Sequence, residues 1–133
     1  MAVPITDTIH PEFQAQVTAW LVHCFGTEVL QDVQERSDRF LEEGIELYQA
    51  LGGTRANAHE LVDYVFGRPK GEPLQEVGGV SLTLAGLCAA AGIQLSEAAQ
   101  AELSRVSAPE LVARVRAKRA ARPRNSPLPG SVS

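Results

Sequence analysis

Proline, glycine and small hydroxyl residues fall at regular breaks in this sequence, and between the breaks apolar residues recur every three or four positions. That punctuation belongs to helices. Pro11 and Glu12 suit the first turn of a helix opening at His10, which Gly26 ends. Thr27 is placed to cap a long helix over residues 27–51, stopped by Gly52 and Gly53. Thr54 suits a shorter helix to Phe66, stopped by Gly67 and Pro69; Glu72 and Pro73 open a fourth that reaches Ala91 before Gly92. Ser96 starts a fifth, and Ser107-Ala-Pro-Glu110 reads as a capping box for a sixth ending near Ala121. Strand signals are sparse: aromatics are 5% of the residues, β-branched residues do not alternate for long, and Asn-Gly and Asp-Gly pairs are missing. The expected fold is all-α, a bundle of about six helices in one domain over residues 1–121, followed by a mobile proline-rich tail over 122–133.

Charge divides the chain unevenly. Residues 1–100 hold fourteen acids against five bases, whereas residues 101–133 hold seven bases against two acids. An acidic body repels a phosphate backbone, so nucleic acid is not the expected partner. Cys24 and Cys88 lie in apolar helical stretches without C-x-x-C spacing, which suits buried, reduced thiols and a cytoplasmic setting. The first residues do not show a basic region followed by an apolar core, and apolar runs of membrane-spanning length are not expected.

The long helix of residues 27–51 places Val33, Ser37, Phe40, Gly44, Leu47 and Leu51 in one stripe, expected to be its main core contact. Gly44 in that stripe costs about 1 kcal/mol relative to alanine, tolerable where another helix or a ligand comes close. The same helix carries Glu28, Asp32, Glu35, Asp38, Glu42, Glu43 and Glu46. Glu43 and Glu46, one turn apart, can serve either as a solvated face or as oxygen ligands for Mg²⁺ or Mn²⁺, if a facing helix completes the set. Glu76, beside the apolar stripe of the fourth helix, is the candidate for that completion, and metal-held water and phosphate would follow from it. Asp63, within Glu60-Leu-Val-Asp63, is a further possible ligand.

Glu42-Glu43-Gly-Ile-Glu46 matches the E-E-x-x-E motif of the MazG-like all-α nucleoside triphosphate pyrophosphohydrolases, and the Gln75-Glu76-Val-Gly-Gly-Val run resembles the E-x-x-D helix that follows it. The resemblance spans roughly residues 35–91 and includes Arg39-Phe40-Leu41 and the Asp63-to-Pro69 stretch. It departs from the pattern at Gly79, where the family has aspartate, and the 29 residues between Glu46 and Glu76 sit at the edge of the usual spacing. The resemblance implies Mg²⁺-dependent cleavage of nucleoside triphosphates to monophosphate and pyrophosphate, with Glu43, Glu46 and Glu76 as metal ligands and Glu42 as a base or orienter for water. It also implies a core completed by a homodimer or tetramer, in keeping with the few helices available to cover two long apolar stripes. A catalytically impaired binding module is the alternative that Gly79 raises.

The basic end suits the negative pole of a last helix, and if that helix folds toward the acids, Arg116, Lys118 or Arg119 can contact triphosphate oxygens. His59-Glu60 begins like H-E-x-x-H but has no second histidine, His23 has no partner ligands in sequence, and Gly67-Arg-Pro-Lys-Gly71 is not a phosphate loop. None of these three is assigned a role.

Overall fold

The computed structural model describes residues 11–131, and these are helical, with no strand among them. Six α-helices follow in order: α1 (Pro11–Phe25), α2 (Val33–Ala50), α3 (Arg55–Phe66), α4 (Pro73–Ala91), α5 (Leu95–Val106) and α6 (Pro109–Ala120). The all-α expectation and the number of helices agree with this. His10, expected to open α1, lies outside the described residues.

The helix expected over residues 27–51 is in fact two elements. Residues Thr27–Gln31 form a 3₁₀ turn, and α2 starts only after Asp32, whose carboxylate accepts a 3.0 Å hydrogen bond from the Glu35 amide. Asp32 therefore does the capping that Thr27 was expected to do. That bond holds the Asp32 carboxyl below its usual range. Thr54 caps α3 as its sequence position suggests, accepting from the Asn57 amide at 3.2 Å. Gly92 ends α4 in the left-handed conformation, with φ 71°, a shape that favours glycine. The capping box expected before α6 does not form: Ala108 is the cap, and the Ser107 hydroxyl donates to the Leu103 carbonyl instead.

The core lies where α1, the 3₁₀ turn and α6 meet, with α5 packed on α6. Val29 is fully buried there, and Cys24 and Val112 nearly so. Two long-range ties fix the arrangement. Trp20 Nε1 donates to the Val106 carbonyl at 3.0 Å, joining α1 to the end of α5. Arg116 donates to the carbonyls of Cys24 and His23 at 2.8 and 2.6 Å, joining α6 to the last turn of α1 and satisfying carbonyls that a helix end leaves unpaired. Both cysteines are free and buried, as their apolar settings suggested, and burial pushes the Cys24 thiol up.

The stripe expected to anchor α2 is the largest departure from the sequence reading. Val33 is 71% exposed and Phe40 58%, whereas the buried side chain of α2 is Glu35, at 2%. α2, α3 and α4 make only slight contact with the other elements, so the face that periodicity marks as apolar is uncovered in the single chain. Contrary to the expectation that no apolar run reaches membrane-spanning length, α4 is long and apolar enough, by length and composition, to cross a membrane; it is mostly exposed here. After α6 the chain runs back across α2: the Arg39 guanidinium donates to the Pro127 carbonyl, and Gly130 is buried beside the end of α6.

Candidate functional site

A cavity of about 270 Å³, at the small end for a ligand site, opens between the last turn of α1, the first half of α2, α6 and the segment after α6. Trp20 and Phe25 provide its aromatic wall, their rings meeting edge to face at 6.2 Å. Five cations and three carboxylates make up most of the remaining lining, with Val115, Pro129 and Gly130. Arg36, Arg39, Lys118, Arg119 and Arg122 thus give a locally positive site to a chain whose first hundred residues are acidic.

Glu35 organises this cluster. Arg119 grips it with two hydrogen bonds, at 2.9 and 3.2 Å; Arg36 donates at 3.0 Å, and Arg122 stands 3.3 Å away. The guanidinium groups of Arg119 and Arg36 lie 5.1 and 5.8 Å from the centre of the Phe25 ring, close enough for cation–π attraction. A buried carboxylate with several guanidinium partners fixes their heads without neutralising all of them. Arg36 Nε and Arg39 Nε are buried and make no hydrogen bond. Arg39 Nε stands 3.4 Å from a Glu42 oxygen, an ion pair in distance that lacks hydrogen-bond alignment.

The sequence-derived residues are brought together only in part. Glu42 and Glu43 line the cavity, as do Lys118 and Arg119 on the opposite element. Glu46 follows Glu43 by one turn of α2 and acts on it: burial first, then the charges of Glu46, Glu42 and Glu102, raise the Glu43 carboxyl, with Lys118 opposing them. Arg116 lies away from this wall, engaged with the α1 carbonyls. Glu76 and Asp63 stand on α4 and α3, and among the described residues no three histidine, cysteine, aspartate or glutamate side chains converge as a metal cluster. Glu76 instead folds beside Gly71, at the start of its own helix. Sequence reasoning missed Glu35, Arg36, Arg39 and Arg122 as parts of one cluster, and Glu102 as a neighbour of Glu43.

The donor set suits magnesium in part. Mg²⁺ commonly keeps its waters and takes one or two protein carboxylates together with substrate phosphates, and here two glutamates one turn apart stand beside a basic wall. Burial raises the Glu43 carboxyl most, and the charges of Glu46 and Glu42 add to it; a cation there would offset that repulsion. The fuller four-carboxylate set does not form among the described residues. Comparison with family models, with curated proteins and with solved structures yields no match.

Proposed function

We propose that the chain is a MazG-like, Mg²⁺-dependent nucleotide pyrophosphohydrolase, working in an assembly of at least two copies and converting nucleoside triphosphates to monophosphate and pyrophosphate. One observation carries the reading: the motif acids Glu42 and Glu43 and the basic residues Arg36, Arg39, Lys118 and Arg119 line one cavity with two aromatic rings. A nucleotide needs that combination, a stacking surface, cations for phosphate oxygens, and carboxylates at the cleaved bond.

In this reading Lys118 and Arg119 bind the phosphate chain, and Arg36 and Arg39 add positive charge to the same wall. Glu42, 3.4 Å from Arg39, orients the attacking water and accepts its proton. Glu43 and Glu46 would hold Mg²⁺, which when bound supplies charge neutralisation for the phosphoryl oxygens. Trp20 and Phe25 give the base an apolar wall. The test is product release from a panel of ribo- and deoxynucleoside triphosphates with Mg²⁺ or Mn²⁺, where no release at high enzyme concentration refutes the assignment.

The placement of Glu76 away from Glu43, with Gly79 where the motif has aspartate, favours a second reading: a nucleotide-binding module without turnover. It predicts binding without products. A large gain of activity in Gly79→Asp would show the natural site to be impaired.

A further inference from the structure

The segment after α6 is folded back against the cavity by its own local residues. The Ser126 amide donates to the Pro123 carbonyl at 3.2 Å, closing a turn in which Asn125 has φ 60°, a left-handed shape that asparagine adopts more readily than most residues. The Ser126 hydroxyl then accepts from the Leu128 amide at 3.0 Å, and proline rings fix φ at Pro127 and Pro129. At the far end Gly130 is buried against the last turn of α6, where a Cβ would meet the backbone of Lys118, Ala121 and Arg122. A side chain there forces the segment to shift.

Between these two fixed points the segment reaches the site. Pro129 and Gly130 are part of the cavity lining, and the Pro127 carbonyl accepts from the Arg39 guanidinium. We propose that residues 126–130 are an autoinhibitory strap, which closes the cavity and has to leave before a polyphosphate chain can enter. The chemistry of the strap supports exclusion. It carries no charged side chain, and its prolines have no N–H to donate. What it presents to the cationic wall is a carbonyl oxygen, an acceptor that occupies Arg39 as a phosphate oxygen would. A lid that closed over bound phosphate would bring cations to it; this segment brings only an acceptor. With the strap in place the cavity measures about 270 Å³, below the roughly 300–1,000 Å³ of most small-molecule sites. The strap is also lightly held, since Leu128, its large apolar side chain, stays 65% exposed and gives it no apolar anchor.

The inference rests on the phosphate-binding role proposed for this cavity, and its test reads the strap apart from the chemistry. Two substitutions in the full chain release the strap from opposite ends without changing charge. Asn125→Val disfavours the left-handed turn, because a β-branched residue resists positive φ, and Gly130→Ala obstructs the seat on α6. Trp20, the single tryptophan, lines the cavity, so iodide quenching of its emission reports access. Each variant should raise the quenching constant and keep its helicity by circular dichroism. Each should also bind inorganic tripolyphosphate at least about threefold more tightly by calorimetry, without nucleotide or metal, because a cavity blocked part of the time binds in proportion to its open fraction. Tripolyphosphate binding that is unchanged or weaker in both variants overturns the inference, weaker binding showing that the segment belongs to the anion site. A quenching constant unchanged in both overturns it as well. Greater access and affinity without nucleotide turnover in any form refutes the chemistry alone; turnover by the wild type, with access and affinity unchanged in both variants, refutes the strap alone.

Discussion

Replacing Glu35 by glutamine removes the charge around which the basic wall is built. The side chain is 2% exposed and meets Arg119 at 2.9 Å, Arg36 at 3.0 Å and Arg122 at 3.3 Å. Removing one partner of a buried ion pair commonly costs about 3–5 kcal/mol, because the other charge is left without compensation. Here the three guanidinium groups retain side-chain exposures of 35%, 28% and 27%, so water screens part of the loss. About 2–3 kcal/mol remains. With a urea slope of about 1–3 kcal/mol per molar, the unfolding midpoint should fall by about 0.7–3 M at fixed protein concentration. Arg119→Gln in the same background should recover part of that loss, since the second substitution removes a charge the first left uncompensated. A midpoint lowered by less than about 0.3 M, or strictly additive losses, would refute the view that Glu35 is the organising charge of the cavity.

The remaining predictions concern the two ends of the site. Burial, with the charges of Glu46 and Glu42, holds the folded-state pKa of Glu43 above its unfolded value, so the folded protein keeps that proton longer and loses stability as pH rises through the range just above the ordinary glutamate pKa. Glu43→Gln should therefore raise the urea midpoint at pH 7 and leave it nearly unchanged at pH 4, and added Mg²⁺ should stabilise the wild type more than the variant. Asp32 works in the opposite sense: its carboxyl is held low, its contribution is present above the unfolded pKa and is lost on acidification, and Asp32→Asn should flatten the acid limb of the stability profile. Arg116→Ala removes charge-assisted bonds to two carbonyls at the end of α1 and should cost about 1.5–3 kcal/mol in urea unfolding. It should leave nucleotide affinity nearly intact, whereas Lys118→Ala and Arg119→Ala should weaken nucleotide binding followed by Trp20 emission.

Helix identity was largely written in local residues, because caps and stops act within one turn. Thr54 and Gly92 mark their boundaries by side-chain hydrogen bonding and by left-handed backbone, both properties of the residue itself. The break at Asp32 was harder to see, since Thr27 and Asp32 are both competent caps and tertiary packing of Val29 decides between them. The α2 stripe shows a different limit: periodicity reveals that a face is apolar, and says nothing about whether its cover comes from the same chain. Glu35 was one acid among seven on its stretch of sequence. Its burial depends on Arg119, 84 residues away, and such a pairing leaves no local pattern. Lys118 and Arg119 were legible as basic residues near a helix end, yet the exclusion of Arg116 from the wall follows from the rotation of α6 against α1.

The proposed chemistry is tested most directly by phosphorus NMR of a nucleoside triphosphate incubated with the protein and Mg²⁺, in parallel with Glu43→Gln. Cleavage between the α and β phosphates predicts pyrophosphate and nucleoside monophosphate appearing together with wild type, and neither with the variant. Orthophosphate with nucleoside diphosphate, or equal turnover by Glu43→Gln, would contradict it.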